Sequence, residues 1–505
     1  RVNQVRFERV RHFGNCFLGL ELWKRLGLDR FWEALLDEEA ADVPWSRVAA
    51  RLAINRWCAP SSELGIEQRW YPATALDDLL GLPTGPINDT RLYRCLDRLL
   101  PHKTKLEQHL KERYGELFAA EFDVLLYDLT SSYVEGQAEK NPMLQRGYSR
   151  DHRPDCKQVV VALIVNTEGF PLSYETFDGN RADVTTLEAV MRRVERKYGR
   201  ARRVWVFDRG IVSEENLAAL RKRGGRYLVG TPRSKLRALE RELLEGGWIQ
   251  VRDEVEAKLV PMPTGAETYV LCRSTARQEK ERAIRRRFSA RIERALKNLA
   301  QQMEKGQLKD RQKIERRLGK IQARHPQVAD LYEMGLIERE GRLILNGKLI
   351  EERRAWREAR EGAYLLRTNL EGETAEELWT KYIQLTEAAF RALKSELSIR
   401  PLFHQLEPRV KAHILVAFLG YALGVTLKHL LRRNHADLSP AQALARLSTV
   451  QSADIVLPTT DGREIRLRRV ATPSPEQQRL LTQLGIMLPD RFNLNFECSV
   501  DSAIA

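Results

Sequence analysis

At Asp123 the hydrophobic period of the chain changes. Before it, apolar residues recur at helical spacing, as in residues 46–57, 89–100 and 103–117, with Pro and Gly breaks between them. After it, Val124-Leu125-Leu126-Tyr127, the β-branched run 158–165, and 172–177 behind a Gly-Phe-Pro turn read as three strands in a meander. Residues 183–198 then form an amphipathic helix, Val204-Trp205-Val206-Phe207 a fourth, buried strand, and 226–229 a fifth. Between the last two lies a helix, 213–223, with Ser213 as N-cap and Glu214 and Glu215 in its first turn. The order βββαβαβ commits this stretch to a mixed α/β sheet.

That order is the order of a ribonuclease-H-like core. Residues 1–120 form a helical N-terminal region, a candidate for DNA binding, and 121–230 the first part of the core. The pattern then breaks: 231–361 holds short candidate strands (249–251, 268–272, 343–345) around two basic helices and reads as an insertion. One stripe, Ile284, Phe288, Ile292, Ala295 and Leu299, and a second, Ile314, Leu318 and Ile321, give each basic helix an apolar face. The core resumes at Tyr364-Leu365-Leu366-Arg367 and continues in a helix from about residue 380 to 397, so that 362–433 completes it. Leu385, Ala389, Phe390, Leu393 and Leu397 share one face of that helix, with Glu387, Arg391 and Lys394 opposite. Residues 434–505 are shorter and less regular, a candidate dimerisation region.

Charge is unevenly spread. The 505 residues carry a formal +15, and residues 277–324, with 17 Lys or Arg against six Asp or Glu, account for +11 of it. A concentrated positive excess favours a polyanion, because each neutralised phosphate releases condensed counterions. Arg285, Arg286 and Arg287 are the densest point; the competing reading is a solvated helical hairpin whose apolar stripes pair with each other. Base specificity is not implied.

The longest mainly apolar stretch, 414–427, falls short of the roughly 20 residues a membrane crossing needs and reads as a buried core helix. No charged segment followed by an apolar one opens the chain, so export is not expected; the first residue is Arg1, which predicts a short preceding piece. Six scattered cysteines without metal-ligand spacing predict a reduced, cytoplasmic setting.

Asp128 ends the first core strand and Asp208 the fourth, and those strands are neighbours in a ribonuclease-H-like sheet. Two carboxylates so placed are ligands for a hard cation, and Glu387 is the candidate third. Each alone has a bland explanation. An Asp at a strand end is commonly a turn or cap residue, and a Glu on a basic helix face is commonly an i,i+4 partner.

Taken together, Tyr127-Asp128-Leu129-Thr130-Ser131-Ser132-Tyr133, Gly147-Tyr148-Ser149-Arg150-Asp151-His152-Arg153-Pro154-Asp155, Phe207-Asp208-Arg209-Gly210 and the helix with Glu387 resemble bacterial insertion-sequence transposases of the DDE type. In that group a β-rich insertion splits the core before the final Glu. The intervals agree: 79 residues separate Asp128 from Asp208, and 178 separate Asp208 from Glu387. The group's signature helix places Tyr seven and Arg four positions before the Glu; here Thr380 and Ile383 stand there, with Tyr382 nearby, and only Glu387 and Lys394 match.

The resemblance implies a DNA transposase that binds terminal inverted repeats as at least a dimer, cuts the ends through Mg²⁺-activated water and transfers the freed 3′-hydroxyl into target DNA. Asp128, Asp208 and Glu387 would hold two Mg²⁺ (or Mn²⁺) ions. Arg150, His152, Arg153, Arg209, Arg391 and Lys394 would contact DNA, together with the basic helices. The rival readings are a nuclease of the same fold without strand transfer and a domesticated, non-catalytic DNA-binding protein.

Overall fold

The computed structural model describes residues 5–38, 41–82, 88–149, 153–199, 203–262, 265–339, 341–391, 399–400, 402–459 and 463–489; in the helix ending at 391 side chains are described as far as Ile383. Among these residues the strands, in chain order, are β1 (Arg6–His12), β2 (Val124–Tyr133), β3 (Gln158–Asn166), β4 (Pro171–Asp178), β5 (Val204–Phe207), β6 (Arg226–Thr231) and β7 (Ile249–Arg252). They continue with β8 (Val255–Pro261), β9 (Thr268–Ser274), β10 (Tyr332–Arg339), β11 (Arg342–Leu349), β12 (Ala363–Thr368), β13 (Gln451–Pro458) and β14 (Glu464–Val470). The order βββαβαβ is present as β2, β3, β4, helix Leu187–Tyr198, β5, helix Glu214–Lys222 and β6, and the fold is mixed α/β. The chain divides into two compact units, Arg1–Val204 with Gln384–Ala505, and Trp205–Ile383.

In the first unit β2, β3 and β4 form an antiparallel meander, with Asp128 opposite Leu163. All nine residues of β3 are buried, which its unbroken Val-rich run requires, since a strand covered on both faces has no polar side to alternate. The apolar stretch read as a core helix is the middle of helix Glu407–Arg433. That helix is long and apolar enough to cross a membrane, yet 83% of its most apolar window is buried inside protein. Gly420 and Gly424, one turn apart, face Arg56 and Trp57, so helix Trp45–Cys58 packs directly on its backbone.

Two differences from the sequence reading stand out in this unit. The N-terminal region is helical from Gly14 onward but opens on β1, which pairs with β13, itself paired with β14. The helix expected from Asp183 begins at Leu187, after a 3-10 turn over Asp183–Thr185.

Among the described residues of the second unit, six strands form a sheet in the order β5-β6-β12-β9-β8-β7, with β12 antiparallel to both β6 and β9. Helix Glu214–Lys222 connects β5 to β6, and Ser213 caps it as its sequence predicts, accepting from the Asn216 amide. The stretch 231–361 has two parts. Strands β7 to β9 extend the sheet through β12, whereas helices Thr275–Glu304 and Arg311–Arg324 and the β10–β11 hairpin enclose a core of their own from Ile292, Leu296, Leu299, Ile314, Leu318 and Tyr332. The apolar stripes of the basic helices therefore do pair, and they also cover the hairpin.

Candidate active site

Asp128 lies in the middle of β2, not at its end. The strand runs five residues further because Thr130, Ser131 and Ser132, polar enough to read as a terminus, are all buried and paired with β3. Side chains alternate along a strand, so Asp128 and Thr130 share a face and Tyr127 takes the other. On the Tyr127 side the phenol donates to Thr186 Oγ1 at 2.6 Å, and that hydroxyl donates to the Asp183 carbonyl at 2.6 Å, which anchors the strand from behind. On the Asp128 side Arg400 Nη2 donates to Thr130 Oγ1 at 2.9 Å and to the Ser131 carbonyl at 3.1 Å. Asp128 itself is half-buried.

Asp208, in the second unit, directly follows the fully buried β5 and is half-buried; its carbonyl accepts from the Ile211 amide in a tight turn. The phenol of Tyr382 donates to Asp208 Oδ1 at 3.5 Å. Burial and the neighbouring carboxylate push the Tyr382 hydroxyl well above its ordinary range, so it keeps its proton and stays a donor. Gly230 on β6 makes the approach possible: a Cβ there would lie 2.5 Å from the Tyr382 oxygen and 3.3 Å from Asp208 Oδ1. Tyr382 sits on helix Ala375–Arg391, which starts five residues before the expected boundary. A capping box explains the start, with Thr374 Oγ1 accepting from the Glu377 amide and the Glu377 carboxylate accepting from the Thr374 amide. Trp379 then ties the helix to β12 through Nε1 to the Tyr364 hydroxyl at 2.6 Å.

Glu387 and Arg391 are on this helix, but their side chains lie outside the described residues, as do Arg150, His152 and Lys394 altogether. Among the other expected DNA contacts, Arg153 is engaged by Asp155, with Nη2 2.9 Å from Oδ2, and lies over the Tyr133 ring. That hydrogen bond holds the Asp155 carboxyl down at about 2 and raises Arg153 further. Arg209 is exposed, as are Arg286 and Arg287. Arg285 is different: its guanidinium lies 2.5 Å from Glu361 and 2.9 Å from Glu358, on the inward side of its helix. In the 147–155 loop Gly147 has no room for a side chain against the Gly179 carbonyl, and Ser149 Oγ accepts from the Arg153 amide, so part of that motif is structural.

The donor set fits a divalent hard cation. Asp128 and Asp208 are each half-buried, and carboxylate oxygen is what Mg²⁺ and Mn²⁺ select. Sequence reasoning passed over Arg400, Thr130 and Gly230 and gave Tyr382 no role. Arg400, Gly230 and Tyr382 are in no motif, Thr130 is in the one around Asp128 without a role of its own there, and only the fold places them beside the two aspartates.

No curated protein matches the chain. Among solved structures it is similar to the piggyBac transposase synaptic complex with hairpin DNA, seen by cryo-EM, at 8% identity and a TM-score of 0.42 over 88% of this chain and 82% of that one. A family model, the transposase DDE domain, matches residues 120–423, a span that contains Asp128, Asp208 and Glu387. The match covers well over half of the chain, which therefore belongs to the DDE transposase family.

Proposed function

We propose that the protein is the DNA transposase of a bacterial insertion sequence, acting in the cytoplasm at the nucleoid. The observation that carries this reading is the family match over 120–423 with Asp128, Asp208 and Glu387 inside it in the order the chemistry needs. Two divalent cations, Mg²⁺ or Mn²⁺, held by these three carboxylates would supply charge neutralisation on the phosphate and a nucleophilic oxygen at neutral pH.

The residues of the chain do the rest by positioning. Strand β2 fixes Asp128, and the Tyr382 hydroxyl, held by Gly230's missing side chain, orients Asp208. Arg209, Arg286, Arg287, Arg391 and Lys394 bind backbone phosphates. In the first step water adds to the end phosphate and the bond to the 3′-oxygen breaks, leaving a 3′-hydroxyl and a 5′-phosphate. In the second that hydroxyl attacks a target phosphodiester, so one P–O bond replaces another. Both ends must be held together, so the active form is at least a dimer on terminal inverted repeats, with 434–505 as its candidate interface.

The test is cleavage and joining, with Mg²⁺ present or absent, on a duplex bearing the candidate element end, comparing the parent chain with Asp208→Ala. Joined products that vanish in the variant support transposition. Cleavage without joining identifies a nuclease, and tight binding without cleavage a domesticated DNA-binding protein.

A further inference from the structure

After the Glu387 helix, residues 399–400 and 402–406 are neither helix nor named strand, yet Ile399, Leu402 and His404 are buried. Buried irregular backbone must place its hydrogen bonds somewhere, and here they go to the edge of β2. The Leu402 amide donates to the Tyr133 carbonyl at 3.1 Å, and the Leu402 carbonyl accepts from the Glu135 amide at 2.9 Å. Arg400 takes the next carbonyl on that edge, Ser131, and adds Thr130 Oγ1. The Val134 amide points the other way, to Lys157 at the foot of β3, so Ser131, Tyr133 and Glu135 all face away from β3. The segment is thus a strap that caps this edge of β2 directly beyond Asp128.

Both ends of the strap are pinned in the interior. His413 Nε2 reaches the Ile399 carbonyl at 3.3 Å, and His404 Nε2 lies 3.2 Å from Glu63 Oε1, each of these side chains 5% exposed. Glu63, His404 and His413 stand close enough together to suggest a metal cage. The hydrogen bonds argue otherwise: Arg56 Nη2 lies 3.4 Å from His413 Nδ1, and Nε2 serves Ile399, so both ring nitrogens are taken and a fixed cation stands beside them. The cluster anchors the strap.

Because Thr130 and Asp128 share a face, the Arg400 guanidinium stands on the Asp128 side of β2. We propose that Arg400 is a positioning residue, seated by the strap, which fixes β2 at Thr130–Ser131 and so holds the Asp128 carboxylate in the orientation that binds divalent metal. The inference rests on the metal-site reading above, and carboxylates of such a site must be held within about 0.5 Å.

The test uses the full chain and Mn²⁺ alone as probe, with binding followed by electron paramagnetic resonance and β2 followed by amide hydrogen exchange. Asp128→Asn should abolish one Mn²⁺ site. Arg400→Gln should weaken that site about tenfold and speed exchange at Glu135 by a similar factor; Arg400→Lys, which keeps charge but loses the fork, should recover only part. Thr130→Val removes the acceptor from the other side and should weaken Mn²⁺ several-fold even if the Arg400 variants fold poorly. Loss of Mn²⁺ in Asp128→Asn with parent-like affinity and exchange in Arg400→Gln or Thr130→Val overturns the proposal and leaves the metal site standing. Unchanged Mn²⁺ binding in Asp128→Asn overturns both.

Discussion

Tyr382 and Gly230 form a lock and its clearance at the scale of single residues. Gly230→Ala places a methyl group 2.5 Å from the Tyr382 oxygen, so the phenol must move away from Asp208. Cleavage should fall about tenfold, with about 1–3 kcal/mol of stability lost to overpacking. Tyr382→Phe should slow cleavage less and change urea stability by about 1 kcal/mol or below, the worth of one hydrogen bond to a partly solvated acceptor. Arg285 makes a contrasting case among the arginines of its helix. Truncation to Ala leaves Glu361, 4% exposed, without its closest cation, and should destabilise by about 3 kcal/mol while leaving the salt dependence of DNA binding unchanged. Two buried histidines contribute to the pH response. Burial pushes His429 down to about 4 and His413 well below its ordinary value. The unfolded chain takes up these protons near pH 6.5 and the folded one only near or below pH 4. Stability is therefore whole above pH 6.5 and declines as pH falls towards 4, by about 3 kcal/mol at most for His429. Urea melts at pH 7.5 and 5 should show the loss, and His429→Gln should reduce it.

Helix and strand boundaries follow from features smaller than a hydrophobic period. Helix Ala375–Arg391 begins at a capping box, and Thr374→Ala should cost it about 1 kcal/mol, visible as a lower denaturant midpoint. The sequence Thr374-x-x-Glu377 carried that signal, but the apolar stripe beginning later drew the boundary to residue 380. Strand β2 reads short for the opposite reason: Thr130, Ser131 and Ser132 are polar yet buried, and only the fold supplies what covers them, such as Arg400 on Thr130. Strands β1 and β14 show no alternation that marks them, because they are charged and largely exposed, and cross-strand ion pairs hold them, such as Arg6 with Glu464 at 2.7 Å and Arg468 with Asp454 at 2.7 Å. By contrast β3, β5, β6 and helix Glu407–Arg433 were legible, because unbroken apolar runs have only an interior to go to.

For the whole molecule, the basic stretch 277–324 should govern the affinity for duplex DNA. Neutralising Arg286 and Arg287 together should lower the slope of log affinity against log salt by about two and weaken all sequences alike. Salt titrations on specific and random duplexes would show it, and a loss confined to one sequence would contradict it. The order of elements, the buried strands, the basic excess, the two aspartates and the family resemblance were all determined by the sequence itself, since each depends on local pattern or on motifs contiguous in the chain. Only the tertiary structure decided that Asp128 lies mid-strand, that Arg285 turns inward to Glu361, that Tyr382 meets Asp208 over Gly230, and that Arg400 and Leu402 strap the edge of β2. Those contacts join residues 76 to 270 positions apart, and a pairing of that kind is chosen by which hydrogen-bonding groups burial leaves without water, not by anything in their neighbours along the chain.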